Sequence, residues 1–326
     1  MKVIRWGILG LGKIANKFAS DLLLVDYTKL VAVASSNLER SKSFASFYGS
    51  DRFYGTYEEL FNDKQVDIIY IASLHPQHSI LSIAALNKGK AVLCEKPLAM
   101  NTNQVEEMIR VSKEKNTFLM EALWTRFNPV FCQALAWVNE GELGQLRYIN
   151  ATFSFNGLDK GHDSRLFHPT KGGGTLLDIG IYPLFLAYQL LGVPKSIKAS
   201  SHLTTQGVDQ QLAIILTYEN AHALLYSSFT HNEDMRATIA GENGEIYIDN
   251  RWHESPTLTL IKPDKKTPKA FEFIGLGYSY EIMEVNQCLR EGRIASTKWS
   301  HQNSLEMMQM IDSIRNIVGI SYPSDF

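Results

Sequence analysis

The sequence predicts an α/β fold in two parts: an N-terminal Rossmann-type doubly wound parallel sheet, then a C-terminal α/β domain on an open, mainly antiparallel sheet. Three observations predict it. Apolar, strand-like runs alternate with helical patterns over the first third of the chain. A glycine-rich turn stands at the first strand–helix junction. In the second part, long stretches of two-residue alternation take over.

The first run, Val3–Leu9, leads into Gly10-x-Gly12-x-x-Ala15, and apolar residues then recur at helical spacing through Ile14, Phe18, Leu22 and Leu23. This is the strand–turn–helix setting of a dinucleotide fingerprint. Gly10 permits the tight turn, Gly12 lets a pyrophosphate approach the backbone, and Ala15 is small enough for close helix–strand packing. Phosphates are then expected on the segment Gly10, Leu11, Gly12, Lys13 and Ile14, at a helix N-terminus. Further strands are expected at Leu30–Ser35, Ile68–Ala72, Ala91–Cys94 and Phe118–Glu121. Helices are expected at Ile14–Leu24, Leu38–Tyr48, Tyr57–Asn62, Gln77–Lys88 and Gln104–Lys115. Thr56-x-x-Glu59 and Asn103-x-x-Glu106 read as capping signals. The domain boundary is expected near Met120–Ala122, giving domains at 1–121 and 122–326.

The second part opens with a helix around Pro129–Asn139. Strands follow at Leu146–Phe155, Ser196–Leu203, Leu212–Tyr218, Ala221–Phe229, Ala237–Ala240 and Glu245–Ile248, with Asn220 and Gly244 at hairpin turns. One helix is expected from about Gly174, and others at Tyr280–Arg290 and Ser304–Val318.

The 326 residues suffice for two large cores, and 45% hydrophobic with 20% charged residues is the balance of a soluble globular protein. A formal net charge of −2 gives no reason to expect nucleic acid or an anionic membrane as partner. No apolar run is read as a transmembrane span, and the chain enters a strand too early to leave room for a signal peptide, so a cytoplasmic location is expected. Cys94, Cys132 and Cys288 lack metal-type spacing and read as reduced, packed thiols.

The second strand ends Ala34-Ser35-Ser36-Asn37, with Arg40 just beyond. An NAD site usually carries an acid there for the ribose 2′-hydroxyl; serines and an arginine accommodate a 2′-phosphate, which favours NADP over NAD. Ser36 and Asn37 also suit a helix cap, and the two readings are compatible. Glu95-Lys96-Pro97 stands at a strand's carboxyl end, where open α/β sheets bind ligands. Pro97 restricts the backbone of Lys96, and Lys96 directed at a nicotinamide suits proton exchange with a substrate hydroxyl; the alternative is a solvated strand-end lysine. In the run Gly172 to Pro183, Asp178 and Tyr182 are spaced i and i+4, on one helical face. The alternatives there are a helix-dipole partner and a core aromatic.

Together these residues resemble the glucose–fructose oxidoreductase/inositol dehydrogenase (Gfo/Idh/MocA) family over essentially the whole chain. Glu121-Ala-Leu-Trp-Thr-Arg-Phe-Asn-Pro129 and Asp163-Ser-Arg-Leu-Phe167 add to the match, which is closest to the dihydrodiol dehydrogenase/NADP-dependent D-xylose dehydrogenase branch. The resemblance implies hydride transfer between a nicotinamide and a carbinol carbon of an aldose sugar, polyol or cyclic trans-diol. It implies a homo-oligomer, dimer or tetramer, through the C-terminal sheet. The family's lysine and aspartate carry over to Lys96 and Asp178. Many members have histidine where this chain has Tyr182, and tyrosine marks the branch; either Tyr182 or Lys96 is then the immediate proton partner. The branch often has arginine where this chain has Ser36.

Trp124, Arg126 and Phe127 match a pocket-lining segment, with domain packing as the alternative for Trp124 and Phe127. Ser73, Leu74, His75 and His78 belong to a loop that matches the family's cofactor-contacting loop, and Glu95, Lys96, Trp124 and Arg126 are further cofactor-binding candidates. His75 and His78 lack a third metal ligand, so no metal is expected. Asn156, Arg165 and Arg126 are candidates for binding a hydroxyl-rich substrate. His162 and His168 flank Arg165 and read as surface residues. Two other functions compete: a sugar–sugar oxidoreductase with retained cofactor, and a non-catalytic nucleotide-binding sensor.

Overall fold

In the computed structural model, which describes residues 1–161 and 163–326, the first alternating segment forms a six-stranded parallel sheet. Its elements are β1 (Ile4–Leu9), α1 (Lys13–Leu22), β2 (Thr28–Ala34), α2 (Leu38–Tyr48), β3 (Arg52–Tyr54), α3 (Tyr57–Asn62), β4 (Ile68–Ile71), α4 (His78–Asn87), β5 (Ala91–Glu95), α5 (Thr102–Glu114) and β6 (Leu119–Ala122). The strand order is β3-β2-β1-β4-β5-β6. The order reverses between β1 and β4, and ligands of doubly wound sheets bind beyond the strand ends at such a switch point.

Local chemistry explains most boundaries. Thr56 and Glu59 close a reciprocal capping box on α3. The start of α5 corrects the expectation: Asn101, not Asn103, caps it, accepting the Gln104 N–H at 3.1 Å, while Gln104 Oε1 accepts the Met100 N–H at 3.1 Å. The three-residue β3 is too short to show alternation, and no strand was expected there. Inside the unit, Phe18 stacks on Tyr70 at 3.6 Å and leans on Trp6 at 5.5 Å.

The described residues divide into two compact units, Met1–Phe127 with Ile274–Leu305 and Asn128–Phe273 with Glu306–Phe326. Relative to the expected division at 121/122, a late segment thus returns to the first unit. Its anchor is Asp21 on α1. The buried carboxylate accepts backbone N–H groups of Leu276 and Tyr278 at 2.8 Å and of Ser279 at 3.2 Å, at the start of the helix Ser279–Arg290. Trp6 Nε1 donates to Asn286 Oδ1 on that helix at 3.0 Å.

The second unit carries α6 (Pro129–Asn139), β7 (Leu146–Ser154), α7 (Ile181–Leu191), β8 (Ser196–Leu203), β9 (Asp209–Thr217), β10 (His222–Ser228), β11 (Ala237–Gly241), β12 (Gly244–Ile248), β13 (Thr257–Lys262) and β14 (Lys265–Ala270). They form one sheet in the order β14-β13-β12-β11-β7-β10-β9-β8. It is mainly antiparallel, and β7 and β10 pair in parallel at its centre. The hairpin β13–β14 was not expected; β14 reads Lys-Lys-Thr-Pro-Lys-Ala, polar on both faces, as suits an edge strand that must not pair further. In β9, Leu212, Ile214 and Leu216 point inward while Ala213 and Ile215 face out, and Leu224 of β10 is exposed beside them. Leu225 and Phe229 are buried.

One helical stretch, Pro169–Leu191, has the length and hydropathy of a membrane span, contrary to expectation; 78% of its most apolar window is buried within the fold, as in a core helix. Cys94 and Cys288 are packed, and burial pushes the Cys288 thiol up to about 12. Cys132 is exposed, so the packing expectation does not hold for it.

Candidate active site

The turn after β1 separates the roles of its two glycines. Gly10 has φ +84°, and a Cβ on it would stand 2.6 Å from the Ala72 carbonyl oxygen, so only glycine fits beside the end of β4. Gly12 is the N-cap of α1, and a Cβ there would meet open space. The first turn of α1 has neither a side-chain cap nor an acid. An uncapped helix N-terminus beside the open Gly12 position fits a dinucleotide pyrophosphate. Leu11 is buried, Ile14 half-buried and Lys13 exposed, while Ala15 is fully packed against the sheet.

At the end of β2, the Ser35 hydroxyl is committed locally. It donates to the Asn37 carbonyl at 2.7 Å and accepts the Asn37 N–H at 3.1 Å. Asn37 caps α2 by accepting the Arg40 N–H at 3.0 Å. Capping thus falls to Asn37, and the side chains of Ser36 and Arg40 are exposed.

The loop after β4 turns inward. Ser73 is half-buried, Leu74 exposed and His75 buried. His78 is fully buried, with Nδ1 2.8 Å from the Pro97 carbonyl and Nε2 3.2 Å from the Ser73 carbonyl. Burial pushes this imidazole down to about 4, against those two hydrogen bonds. A neutral ring has one N–H and a carbonyl only accepts, so the shorter contact assigns the proton to Nδ1.

At the end of β5, Glu95 is buried and accepts the Tyr70 hydroxyl. Burial raises its carboxyl pKa, against the opposing pull of Lys96 and Tyr70. Lys96 is half-buried, and its peptide bond to Pro97 is cis. Its charge acts on Glu95, on Glu121 and on His78. Glu121, on β6, accepts the Leu98 N–H at 2.9 Å and the Trp299 indole N–H at 3.1 Å. Nothing in its spacing marked Glu121 as a support of the lysine turn. Trp124, Arg126 and Phe127 lie on a buried 3₁₀ turn, where Trp124 stacks on Tyr278 at 4.8 Å and Arg126 Nε donates to the Lys298 carbonyl at 3.0 Å.

In the second unit, the glycine run is a packing device. A Cβ on Gly173 would lie 2.7 Å from the Leu166 carbonyl oxygen, and Gly174 has φ +108°. Buried Asp209 accepts the Thr175 hydroxyl at 2.5 Å and the Leu176 N–H at 2.7 Å, fixing the start of the helix. The first turn, Leu176–Gly180, is π-helical before α7 begins. The i, i+4 pair Asp178 and Tyr182 therefore spans a change of pitch, and π-turns are frequent at functional sites. The Asp178 carboxylate is held by Arg165 through two hydrogen bonds of 3.0 Å. The Tyr182 ring packs 5.4 Å from both Phe153 and His253, and His253 stacks on Phe153 at 4.2 Å. His253 carries no spacing signal and was missed.

Asn156 is exposed, and its side chain accepts the Leu158 N–H at 3.1 Å in a local turn. His168 caps the short turn Pro169–Lys171, and His162 lies outside the described residues. Among the described residues, no three His, Cys, Asp or Glu side chains are grouped as metal ligands.

A switch-point sheet with an open glycine turn, a lysine beyond an adjacent strand, and a separate mixed-sheet unit define a nicotinamide-dependent oxidoreductase. Residues 4–123 match the family described as "Oxidoreductase family, NAD-binding Rossmann fold", and residues 131–247 match the "GFO/IDH/MocA C-terminal domain". The chain belongs to the GFO/IDH/MocA oxidoreductase family. It is 36% identical to trans-1,2-dihydrobenzene-1,2-diol dehydrogenase of Xenopus tropicalis, over 98% of this chain and 99% of that one. The human protein of the same name is 34% identical, over 99% of each. Among solved structures, the aldose–aldose oxidoreductase of Caulobacter crescentus superposes with TM-score 0.88, at 25% identity and 98% coverage of each chain. KijD10, a 3-ketoreductase from Actinomadura kijaniata in complex with NADP and TDP-benzene, does so with TM-score 0.86, at 25% identity over 97% of this chain and 98% of that one.

Proposed function

We propose that this chain is an NADP-preferring, cytoplasmic dehydrogenase that acts on a CH–OH group of an aldose sugar, polyol or cyclic trans-diol. The observation that carries the reading is Lys96, half-buried at the carboxyl end of β5 in a sheet whose first turn leaves Gly12 open. The diol dehydrogenase relatives and the sugar-oxidising neighbour support the substrate class. The absence of an acid at Ser35 and Ser36 supports NADP, and so does the NADP-bound ketoreductase.

When bound, the nicotinamide exchanges a hydride with the substrate carbon. The protein's part is to hold the hydroxyl and take its proton. Lys96 and Tyr182 share that task, one removing the proton while the other donates a hydrogen bond to the same oxygen. Asp178, locked by Arg165, supplies a fixed negative charge near Tyr182. Trp124 and Phe127 offer apolar surface to a ring-shaped substrate, and Arg126 joins Trp124 at the cofactor. Cysteines kept as thiols fit a reducing compartment. Subunits pair through the outer face of the second sheet, where Ile215 and Leu224 are exposed.

The test is a screen of aldoses, polyols and trans-diols with NADP and NAD, read by nicotinamide absorbance. Turnover of at least one such substrate, lost in Lys96→Met, is expected. Binding of NADP without turnover of any of them would favour the sensor instead.

A further inference from the structure

The turn that presents Lys96 is held through a single peptide group. His78 donates from Nδ1 to the Pro97 carbonyl at 2.8 Å, and the Glu121 carboxylate accepts the Leu98 N–H at 2.9 Å. That oxygen and that N–H are the two ends of one peptide unit, the next along the chain from the Lys96–Pro97 bond. Both side chains are almost wholly buried. Hydrogen bonds at opposite ends of one peptide polarise it and strengthen each other, and an acidic acceptor is among the stronger partners.

Glu121 is anchored in turn: its Oε2 accepts from Trp299 Nε1 at 3.1 Å and Ser304 Oγ at 2.7 Å. His78 has its proton on Nδ1, and its Nε2 stands 3.2 Å from the Ser73 carbonyl with no hydrogen to donate to it. The Lys96 charge acts on both holders.

We propose that His78 and Glu121 are positioning residues: by clamping the Pro97–Leu98 peptide they set the direction in which Lys96 leaves β5. The inference rests on the proton-transfer role proposed for Lys96. His78 then serves the cofactor loop from inside. Its effect on turnover passes through Lys96, and misplacing a reacting group by about 1 Å costs on the order of a hundredfold in rate.

Two variants separate the ring's two contacts. In His78→Asn the amide falls near the place of Nδ1 and keeps the Pro97 bond; in His78→Gln it falls near Nε2, beside the Ser73 carbonyl, and gives up the Pro97 bond. His78→Asn is expected to hold kcat within about threefold of wild type. His78→Gln is expected to lower kcat about tenfold or more, with NADP affinity by titration within about threefold. Equal kcat in the two, or a higher kcat in His78→Gln, overturns the proposal.

A second measurement needs no variant. The Leu98 amide of the wild-type protein should exchange with deuterium as slowly as the amides of β5. Exchange as fast as an exposed loop amide also overturns the clamp. Unchanged turnover in Lys96→Met would instead overturn the role of Lys96; a large loss there, with the two His78 variants alike, overturns the clamp alone.

Discussion

Arg165 and Asp178 meet fork to fork, Nη1 on Oδ1 and Nη2 on Oδ2, each at 3.0 Å. The carboxylate is nearly buried and the guanidinium partly exposed. Burial disfavours the charge on Arg165, but the attraction and hydrogen bonds of Asp178 outweigh it and raise the guanidinium's pKa. A bidentate pair fixes the plane of the carboxylate as well as its charge. The fork of Arg165 is thus engaged by Asp178, and we propose that it serves catalysis by holding that carboxylate.

Arg165→Lys keeps the charge and gives up the second parallel N–H. It is expected to lower kcat/KM about tenfold, equivalent to about 1.4 kcal/mol, close to the lower end of what a hydrogen bond to a charged group contributes. Arg165→Met should lose more. Steady-state kinetics on one confirmed substrate decide it, and equal kcat/KM in all three proteins would exclude the role.

Lys96→Met and Tyr182→Phe should each reduce kcat by about 10²–10⁴-fold, the usual worth of a general acid–base group. If both serve the same oxygen, the double variant loses little more than the worse single one. Fully multiplicative losses would mean that the two act independently.

Ser36 and Arg40 are exposed at the end of β2, where a 2′-phosphate is expected. Ser36→Asp puts a carboxylate beside that phosphate. NADP affinity should fall by about 1–3 kcal/mol while NAD affinity holds or improves, reversing the order. Titration of both cofactors checks it; equal affinities in the wild-type protein already contradict the preference.

The parts legible in the sequence were those fixed by local pattern. Strand alternation in Leu212–Tyr218 and the glycine turn at Gly10 and Gly12 reappear in the structure because period and backbone freedom are properties of neighbouring residues. The end of β5 just before Lys96-Pro97 was legible for the same reason. What stayed hidden depends on distant partners or short elements. β14 has no apolar period to read, the parallel pairing of β7 with β10 joins strands far apart in the chain, and Glu121 reaches Leu98 across a strand boundary. Asp178 and Tyr182 shared a spacing, and the π-turn between them left no mark on the pattern.

Asp21 is another such long-range partner. One buried carboxylate takes the N–H groups of Leu276, Tyr278 and Ser279, and so ties a returning segment to α1. Asp21→Ala leaves these donors without it. A loss of about 3 kcal/mol is expected, since each orphaned donor costs about 1–3 kcal/mol and the chain relaxes in part. Denaturant unfolding measures it, and an unchanged midpoint would mean that water replaces the carboxylate without cost.

His78 makes folding depend on pH in a definite direction. Burial holds its folded-state pKa at about 4, below the 6.5 of an unperturbed imidazole. The unfolded chain therefore binds the extra proton first as pH falls. The histidine's contribution to stability is complete above the unfolded pKa, declines as pH drops from 6.5 toward 4, and is fully lost below the folded value. The slope approaches about 1.4 kcal/mol per pH unit within that window. His78→Asn has no proton to take up there, so its stability should fall less steeply than wild type between pH 6.5 and 4. Parallel stability curves across that range would show that His78 does not titrate differently in the folded and unfolded states.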